Sequence, residues 1–498
     1  MDRSAGVIMH IASLPGKFGI GTFGREAYDY VKFLFKAGLK YWQILPLGQT
    51  GYGDSPYQSF SAFAGNPYFI DFDILKKEGL LKEEEYLNEE YGENEEYIDY
   101  GLLFKVKYKV LRRAYNNFKN MNDIALKESM NNFKEDNKFW LDDYALYMAI
   151  KEEFNLKSWQ EWDDDIKKRE SSAMNKYKNK LVDEIEFWSF VQFLFFKQWN
   201  ELKKYANSKG IKIIGDIPIY VAEDSADVWS NPEAYLIYTE TLKPIVVAGC
   251  PPDAFSDTGQ LWGNPIYDWN YMEKNRYKWW VKRVEESLKL YDVVRIDHFR
   301  GLESFWEIPY GDKTAVNGQW IKGPGIKLFD AIKKELGEVN IIAEDLGFLT
   351  NEVIEFLRQT KFPGMKVLQF AFDAREESNY LPHTYIRNCI VYTGTHDNDT
   401  FRGWFELTGN KEDVEYSKEY LALSEEEGYN WGFIRGAWSS VANLSMALMQ
   451  DFLNLGGESR INTPSTLGHN WTWRVRGGSY TDELANKIYK YTKMYGRC

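Results

Sequence analysis

Tyr291-Asp292-Val293-Val294-Arg295-Ile296-Asp297-His298-Phe299-Arg300 is a short apolar run that ends on a carboxylate. The same plan recurs at Val339-Asn340-Ile341-Ile342-Ala343-Glu344-Asp345-Leu346-Gly347 and at Cys389-Ile390-Val391-Tyr392-Thr393-Gly394-Thr395-His396-Asp397-Asn398. Lines of apolar, largely β-branched residues read as strands buried on both faces of a parallel sheet. Parallel strands all end on one side. Asp297, Glu344 and Asp397, roughly fifty residues from one to the next, can therefore meet at the C-terminal mouth of a (β/α)8 barrel.

Further strand-like runs lie at 7–12, 41–47, 211–221, 365–372 and 459–463, which with 293–297, 340–344 and 389–393 makes eight. Helical patterns fill most of the gaps, as at 24–37, where Ala27, Val31, Leu34 and Phe35 share a face. The expected fold is an α/β (β/α)8 TIM barrel, with residues 1–498 forming a single catalytic domain. Two intervals exceed a simple crossover. Residues 76–200 read as a large helical insertion after strand 2. Residues 222–275, rich in Gly, Pro and Trp and without clear periodicity, read as a long loop insertion after strand 3 that covers the site, since loops of that length in a compact domain are usually functional.

The 44% hydrophobic and 27% charged residues fit a globular chain with a large core. The net charge of -13, with no long run of Lys or Arg, argues against a nucleic-acid partner. Three cysteines, Cys250, Cys389 and Cys498, are an odd number without metal-ligand spacing, so a reducing, cytoplasmic setting is expected, with neither a metal site nor a cofactor. Residues 1–13 read as the first strand rather than a leader, because His10 interrupts the apolar stretch and no cleavage site follows. The most apolar stretch elsewhere, 187–199, is too short to span a bilayer and carries Gln192 and Lys197. No membrane association is expected.

Gly19-Ile20-Gly21-Thr22-Phe23-Gly24 matches the dinucleotide pattern GxGxxG, yet the second strand ends Leu45-Pro46-Leu47-Gly48-Gln49 without the acidic residue that would hold a ribose. These glycines read as turn residues. The carboxylates Asp216, Asp297, Glu344 and Asp397 carry the chemistry instead. Gathering like charges on one rim is costly, because each raises the pKa of the others. The cluster suits glycosyl transfer, in which one carboxylate attacks the anomeric carbon while a second, kept protonated, donates to the leaving oxygen. A separation of ~5 to 5.5 Å between the two gives retention. Arg295 lies two residues before Asp297, on the same strand face, where a guanidinium keeps that carboxylate ionised.

Motifs along the whole chain sharpen this reading: Gly53-Asp54-Ser55-Pro56-Tyr57-Gln58, Asn66-Pro67-Tyr68, Asp216-Ile217-Pro218-Ile219-Tyr220-Val221, Pro251-Pro252-Asp253-Ala254-Phe255, Gly259-Gln260-Leu261-Trp262-Gly263-Asn264-Pro265, Arg460-Ile461-Asn462-Thr463-Pro464 and Asn470-Trp471-Thr472-Trp473-Arg474. With these the chain resembles the amylomaltases, the 4-α-glucanotransferases (disproportionating enzymes) of glycoside hydrolase family 77, which share barrel and catalytic regions with the α-amylase clan. The resemblance implies Asp297 as nucleophile, Glu344 as general acid/base and Asp397 as the third carboxylate, which holds the donor sugar's hydroxyls. It also implies Tyr57 as a donor-side stacking residue and His396 as a sugar contact. Asp253 and Trp262 then lie on a lid over the glucan, with Asp54, Ser55, Asp216, Arg295, His298, Asn462 and Pro464 completing the substrate-binding set. The implied partners are malto-oligosaccharides, amylose or glycogen-derived α-1,4-glucans, with glucose as acceptor. An α-1,4-glucan hydrolase of the same clan is the alternative. A catalytically silent glucan-binding protein is a third reading, opposed by the intact Asp297, Glu344 and Asp397.

Overall fold

The computed structural model describes residues 2–498 except 52, 253–255, 348, 374, 376 and 377. Its strands, in chain order, are β1 (Ser4–Ile8), β2 (Tyr41–Gln43), β3 (Lys212–Ile217), β4 (Val246–Cys250), β5 (Gln260–Pro265), β6 (Val293–Ile296), β7 (Ser304–Pro309), β8 (Gln319–Lys322), β9 (Ile341–Ala343), β10 (Gly364–Val367), β11 (Cys389–Tyr392) and β12 (Leu444–Leu448). Eight of them pair in parallel in the order β10-β11-β12-β1-β2-β3-β6-β9. The remaining seam is bridged by the Ala343 amide, which donates to the Pro363 carbonyl (3.0 Å), and by the Met365 amide, which donates to the Asp345 carboxylate (2.6 Å). The result is a (β/α)8 barrel.

The closing strand is not where the sequence pattern puts it. Residues 459–463 begin at the last residue of a 3-10 turn, Gly457–Ser459, and run on as loop, while Leu444-Ser445-Met446-Ala447-Leu448 pairs with both β1 and β11. Its Leu, Met and Ala residues are good helix formers, and a helix, Met449–Phe452, follows at once. Only the two flanking strands make it β.

Among the described residues, seven α-helices run between β2 and β3, ending in the 27-residue helix Val182–Ser208. At 1.5 Å per residue it spans roughly 40 Å, packing on helix Lys138–Glu153 at one end and on the barrel wall at the other. Trp199, fully buried, donates from Nε1 to the Leu290 carbonyl (3.1 Å) just before β6. Gln192, the polar residue in the apolar run, exchanges two hydrogen bonds with the Gly65 backbone (2.8 and 2.9 Å). A Cβ at Gly65 would stand 2.1 Å from the Phe195 ring, so only glycine lets this loop lie so close to the helix. The helical segment thus clamps the loop that carries Tyr57.

The segment after β3 is more ordered than its sequence suggests. β4 and β5 join β7 and β8, from the segment after β6, in an antiparallel sheet of order β5-β4-β7-β8. The GxGxxG stretch proves to be packing: Gly24 starts helix Arg25–Lys36, and a Cβ there would stand 2.0 Å from an Asp71 carboxylate oxygen. Among the described residues no helix is long and apolar enough to cross a membrane.

Candidate active site

β6 ends at Ile296, and Asp297, about one third exposed, is the first side chain beyond it. Arg295 is buried inside the barrel and holds two carboxylates at once, Asp297 through Nη2 (3.0 Å) and Asp216 at the end of β3 through Nη1 (2.5 Å). Burial pushes Asp216 up to about 6, and the charge of the forking guanidinium opposes that rise. The hydroxyl of Tyr57 donates to the same Asp216 oxygen (2.8 Å).

Glu344 follows β9 and is almost completely buried. Its Oε2 accepts from the His298 amide (2.8 Å) and its Oε1 from the Leu346 amide (2.7 Å), so it lies directly beside the residue after Asp297. Burial pushes this carboxyl up to about 8, opposed by the Arg295 charge and aided by Asp297. Asp345 contributes little, because its side chain turns the other way to the Met365 amide. Two carboxyls on one rim are thus prepared oppositely. Asp297 is held by a guanidinium, while Glu344 is desolvated and protonated at neutral pH.

His298 shows how the strand alternation breaks. Its backbone is left-handed (φ 50°), a conformation a histidine adopts only under constraint. That kink aims its N–H at Glu344 and its ring edge at Trp262 on β5, 4.8 Å between centroids at 87°. Trp262 is therefore carried by a strand of the antiparallel sheet rather than by a free loop. Asn264, on the same strand, ties this wall to the Tyr57 loop: it donates to the Val221 carbonyl (2.8 Å) and accepts from Gln58 (3.1 Å).

Asp397 lies in the loop after β11, its side chain nearly half exposed. Asn462 donates to its Oδ1 (2.6 Å), Arg460 to its main-chain carbonyl (2.6 Å), and His396 Nε2 stands 3.4 Å from its Oδ2. The His396 ring stacks on Tyr57 (5.1 Å, 19°), and Trp471 leans on both. The Tyr57 hydroxyl lies within electrostatic reach of Asp216, Asp297 and Asp397. Ser55 Oγ accepts from the Tyr57 amide (3.3 Å). Asp54, pushed up to about 6 by burial, faces a small neighbouring cavity with Tyr100 and Trp471. Pro464 is exposed, two residues past Asn462. Asp253, and Phe255 with it, lie outside the described residues.

Sequence reading quoted Arg460 and Trp471 within motifs but gave neither a role, and the fold brings both into the cluster. Their signal was present only as motif membership, because nothing local to 460 or 471 marks a site. His10, buried at the end of β1, accepts from the Leu45 amide (3.3 Å) and is pushed down to about 3 by burial, hence neutral. Among the described residues no three of His, Cys, Asp and Glu group as ligands for a metal.

A parallel barrel with one carboxyl paired to a guanidinium and another buried and protonated on its C-terminal rim, walled by aromatic rings, is an arrangement for glycosyl chemistry. Comparison with known proteins agrees. The profile of a family described as 4-alpha-glucanotransferase (Glyco_hydro_77) matches residues 9–481. The 4-alpha-glucanotransferase of Clostridium butyricum is 62% identical over 98% of this chain and 100% of its own length, and that of Thermus thermophilus is 46% identical over 98% of each. The structure of amylomaltase from Streptococcus agalactiae in complex with acarbose, 44% identical, superposes with a TM-score of 0.96 over 99% of both chains. With whole-length similarity at this level and the carboxylates in place, the chain belongs to the 4-alpha-glucanotransferase family, glycoside hydrolase family 77.

Proposed function

We propose that this chain carries out its family's reaction, 4-α-glucanotransfer, by double displacement through a covalent glycosyl-Asp297 intermediate. The observation that carries the reading is the 2.8 Å bond from the His298 amide to Glu344, which sets the protonated carboxyl beside Asp297 and its Arg295 partner. In the first step an Asp297 oxygen attacks the anomeric carbon of the donor while Glu344 gives its proton to the departing 4-oxygen, and the shortened glucan leaves. In the second, Glu344 takes the proton of an incoming 4-hydroxyl, whose oxygen displaces Asp297. Two inversions give net retention.

Asp397, held by Asn462 and Arg460 with one face exposed, is assigned to the donor sugar's hydroxyls, with His396 beside it. Tyr57 offers a ring to the donor sugar, and Trp262 with His298 closes the opposite side. Transfer rather than hydrolysis requires an acceptor sugar to reach the intermediate before water does, and the aromatic walls support that exclusion. The donors are α-1,4-glucans and the acceptors glucose or a glucan chain end. The reading keeps the cytoplasmic setting expected from three cysteines without disulfide or metal spacing.

Purified protein given maltotriose alone is expected to release glucose and build a ladder of longer chains with the total of reducing ends unchanged. A rise in reducing ends without a ladder would replace this reading with hydrolysis. Asn462→Ala removes the donor to Asp397 Oδ1, and because hydrogen bonds to charged groups contribute about 1.5 to 3 kcal/mol, kcat/KM for maltotriose is expected to fall roughly ten- to hundredfold. An unchanged kcat/KM would mean that the orientation of Asp397 is not set there.

A further inference from the structure

Away from the carboxylates, a cleft of about 320 Å³ opens between the helical segment after β2 and the segment after β3. Its aromatic lining comes from three separate parts of the chain. Phe63 forms the floor, with Phe139 and Trp279 standing nearly perpendicular to it (5.3 Å at 85° and 6.0 Å at 75°) and Trp140 stacked behind (6.5 Å at 21°). Phe139 is 44% exposed, an unusual position for a phenylalanine with no covering element. Polar groups border these rings: Ser230, Asn231, Asn275 and the Tyr271–Glu233 pair, whose hydroxyl donates to the carboxylate (3.2 Å).

The charges at the cleft decide what it can take. Lys282, over the Phe139 ring at 4.4 Å, is neutralised by Glu285 and Glu286 (2.8 Å each), and Asp143 is neutralised by Arg169 (2.6 Å). An anion would find Lys282 already engaged and, of the cleft's described cations, Lys278 alone without an ion pair, on a lining that also carries the Glu233 carboxylate. A purely apolar ligand would leave the amide and hydroxyl groups dry. Rings set to meet C–H faces, with amides, hydroxyls and a carboxylate at their edges, suit a neutral polyhydroxylated ligand with flat apolar faces, which is the chemistry of a glucose unit.

We propose that this cleft is a second, non-catalytic binding site for an α-glucan chain. The choice of glucan rests on the transfer reaction proposed above, whereas the presence of a sugar site rests on the cleft alone. Its placement gives it a use. Ser61 and Phe63 also line the small cavity that reaches Tyr57 and Asp216. The same loop is tied to the cleft's other wall by the Ala62 amide on Asp227 (2.7 Å) and the Ala226 amide on the Phe60 carbonyl (2.8 Å). A long chain held here is kept near the catalytic rim, while a trisaccharide, filling only the catalytic cleft, gains nothing.

The test is native electrophoresis in gels with and without amylose, for wild type, Phe139→Ala and Trp279→Ala, beside kinetics on amylose and on maltotriose. Phe139→Ala trims an exposed ring and should fold as wild type does; Trp279→Ala removes a half-buried ring, and its melting temperature is checked first. Amylose retardation is expected to weaken about fivefold in each variant, the loss of one stacking ring. The ratio of amylose to maltotriose kcat/KM should drop with it while maltotriose turnover stays at the wild-type value. Wild-type retardation in Phe139→Ala together with a folded Trp279→Ala would overturn the site. Should wild type leave maltotriose untouched yet still be retarded by amylose through Phe139, the transfer reading fails and the sugar site stands.

Discussion

Asp297→Asn lowers kcat/KM for maltotriose by on the order of 10⁴-fold or more, because an amide cannot form the glycosyl ester and the remaining groups do not act independently of it. The fold should survive. The Asp297 side chain is about one third exposed, and Arg295 keeps its Asp216 partner on Nη1 (2.5 Å). Its melting temperature should therefore stay close to that of wild type, which separates a lost reaction from a lost fold. Activity within about a hundredfold of wild type would move the nucleophile elsewhere. Asp216 is the nearest other candidate on the same guanidinium, but it is fully buried, with one oxygen already taken by Arg295 and Tyr57, and cannot reach an anomeric carbon.

The carboxylates were legible in the sequence because each terminates its own strand or follows it closely, and a strand buried on both faces is a local signal. Seven barrel strands were read that way. The eighth was not, because Leu444–Leu448 carries helix-forming residues and becomes β only by lying between β1 and β11. The antiparallel sheet stayed hidden for a related reason: β8 is wholly exposed or half-exposed, so no alternation marks it. The position of Tyr57 was beyond local reading altogether. It depends on Gln192 gripping Gly65 from 127 residues away. His298 is the reverse case: a continued strand would turn it away from Asp297, but its left-handed backbone directs its amide to Glu344. The sequence says which residues react, and long-range clamps decide what surrounds them.

Glu344→Gln separates the two halves of the reaction. With maltotriose, whose leaving oxygen needs a proton, kcat is expected to fall about 10³-fold. With α-maltosyl fluoride the leaving group needs none, so Asp297 is still glycosylated. The intermediate then accumulates, since Gln cannot deprotonate the acceptor, and mass spectrometry should find one maltosyl unit on the peptide containing Asp297. Azide, a nucleophile with no proton to lose, should release it as α-maltosyl azide. Parallel losses on both donors would remove Glu344 from the acid role.

The pH dependence follows from the same desolvation. The acid form of Glu344 is lost as pH rises through about 8, so wild-type turnover of maltotriose should fall over that limb, and the limb should vanish in Glu344→Gln. Stability moves in the same direction over a lower window. The folded protein keeps a proton on Glu344 that the unfolded chain, with an ordinary value of 4.5, has already released, so stability declines as pH climbs from there towards 8. Glutamine has no proton to lose and makes no such contribution. Glu344→Gln should thus melt above wild type at pH 9 while catalysing far less. A variant that melted lower there would mean that the buried carboxyl is stabilised by its two amide donors more than it is destabilised by losing water.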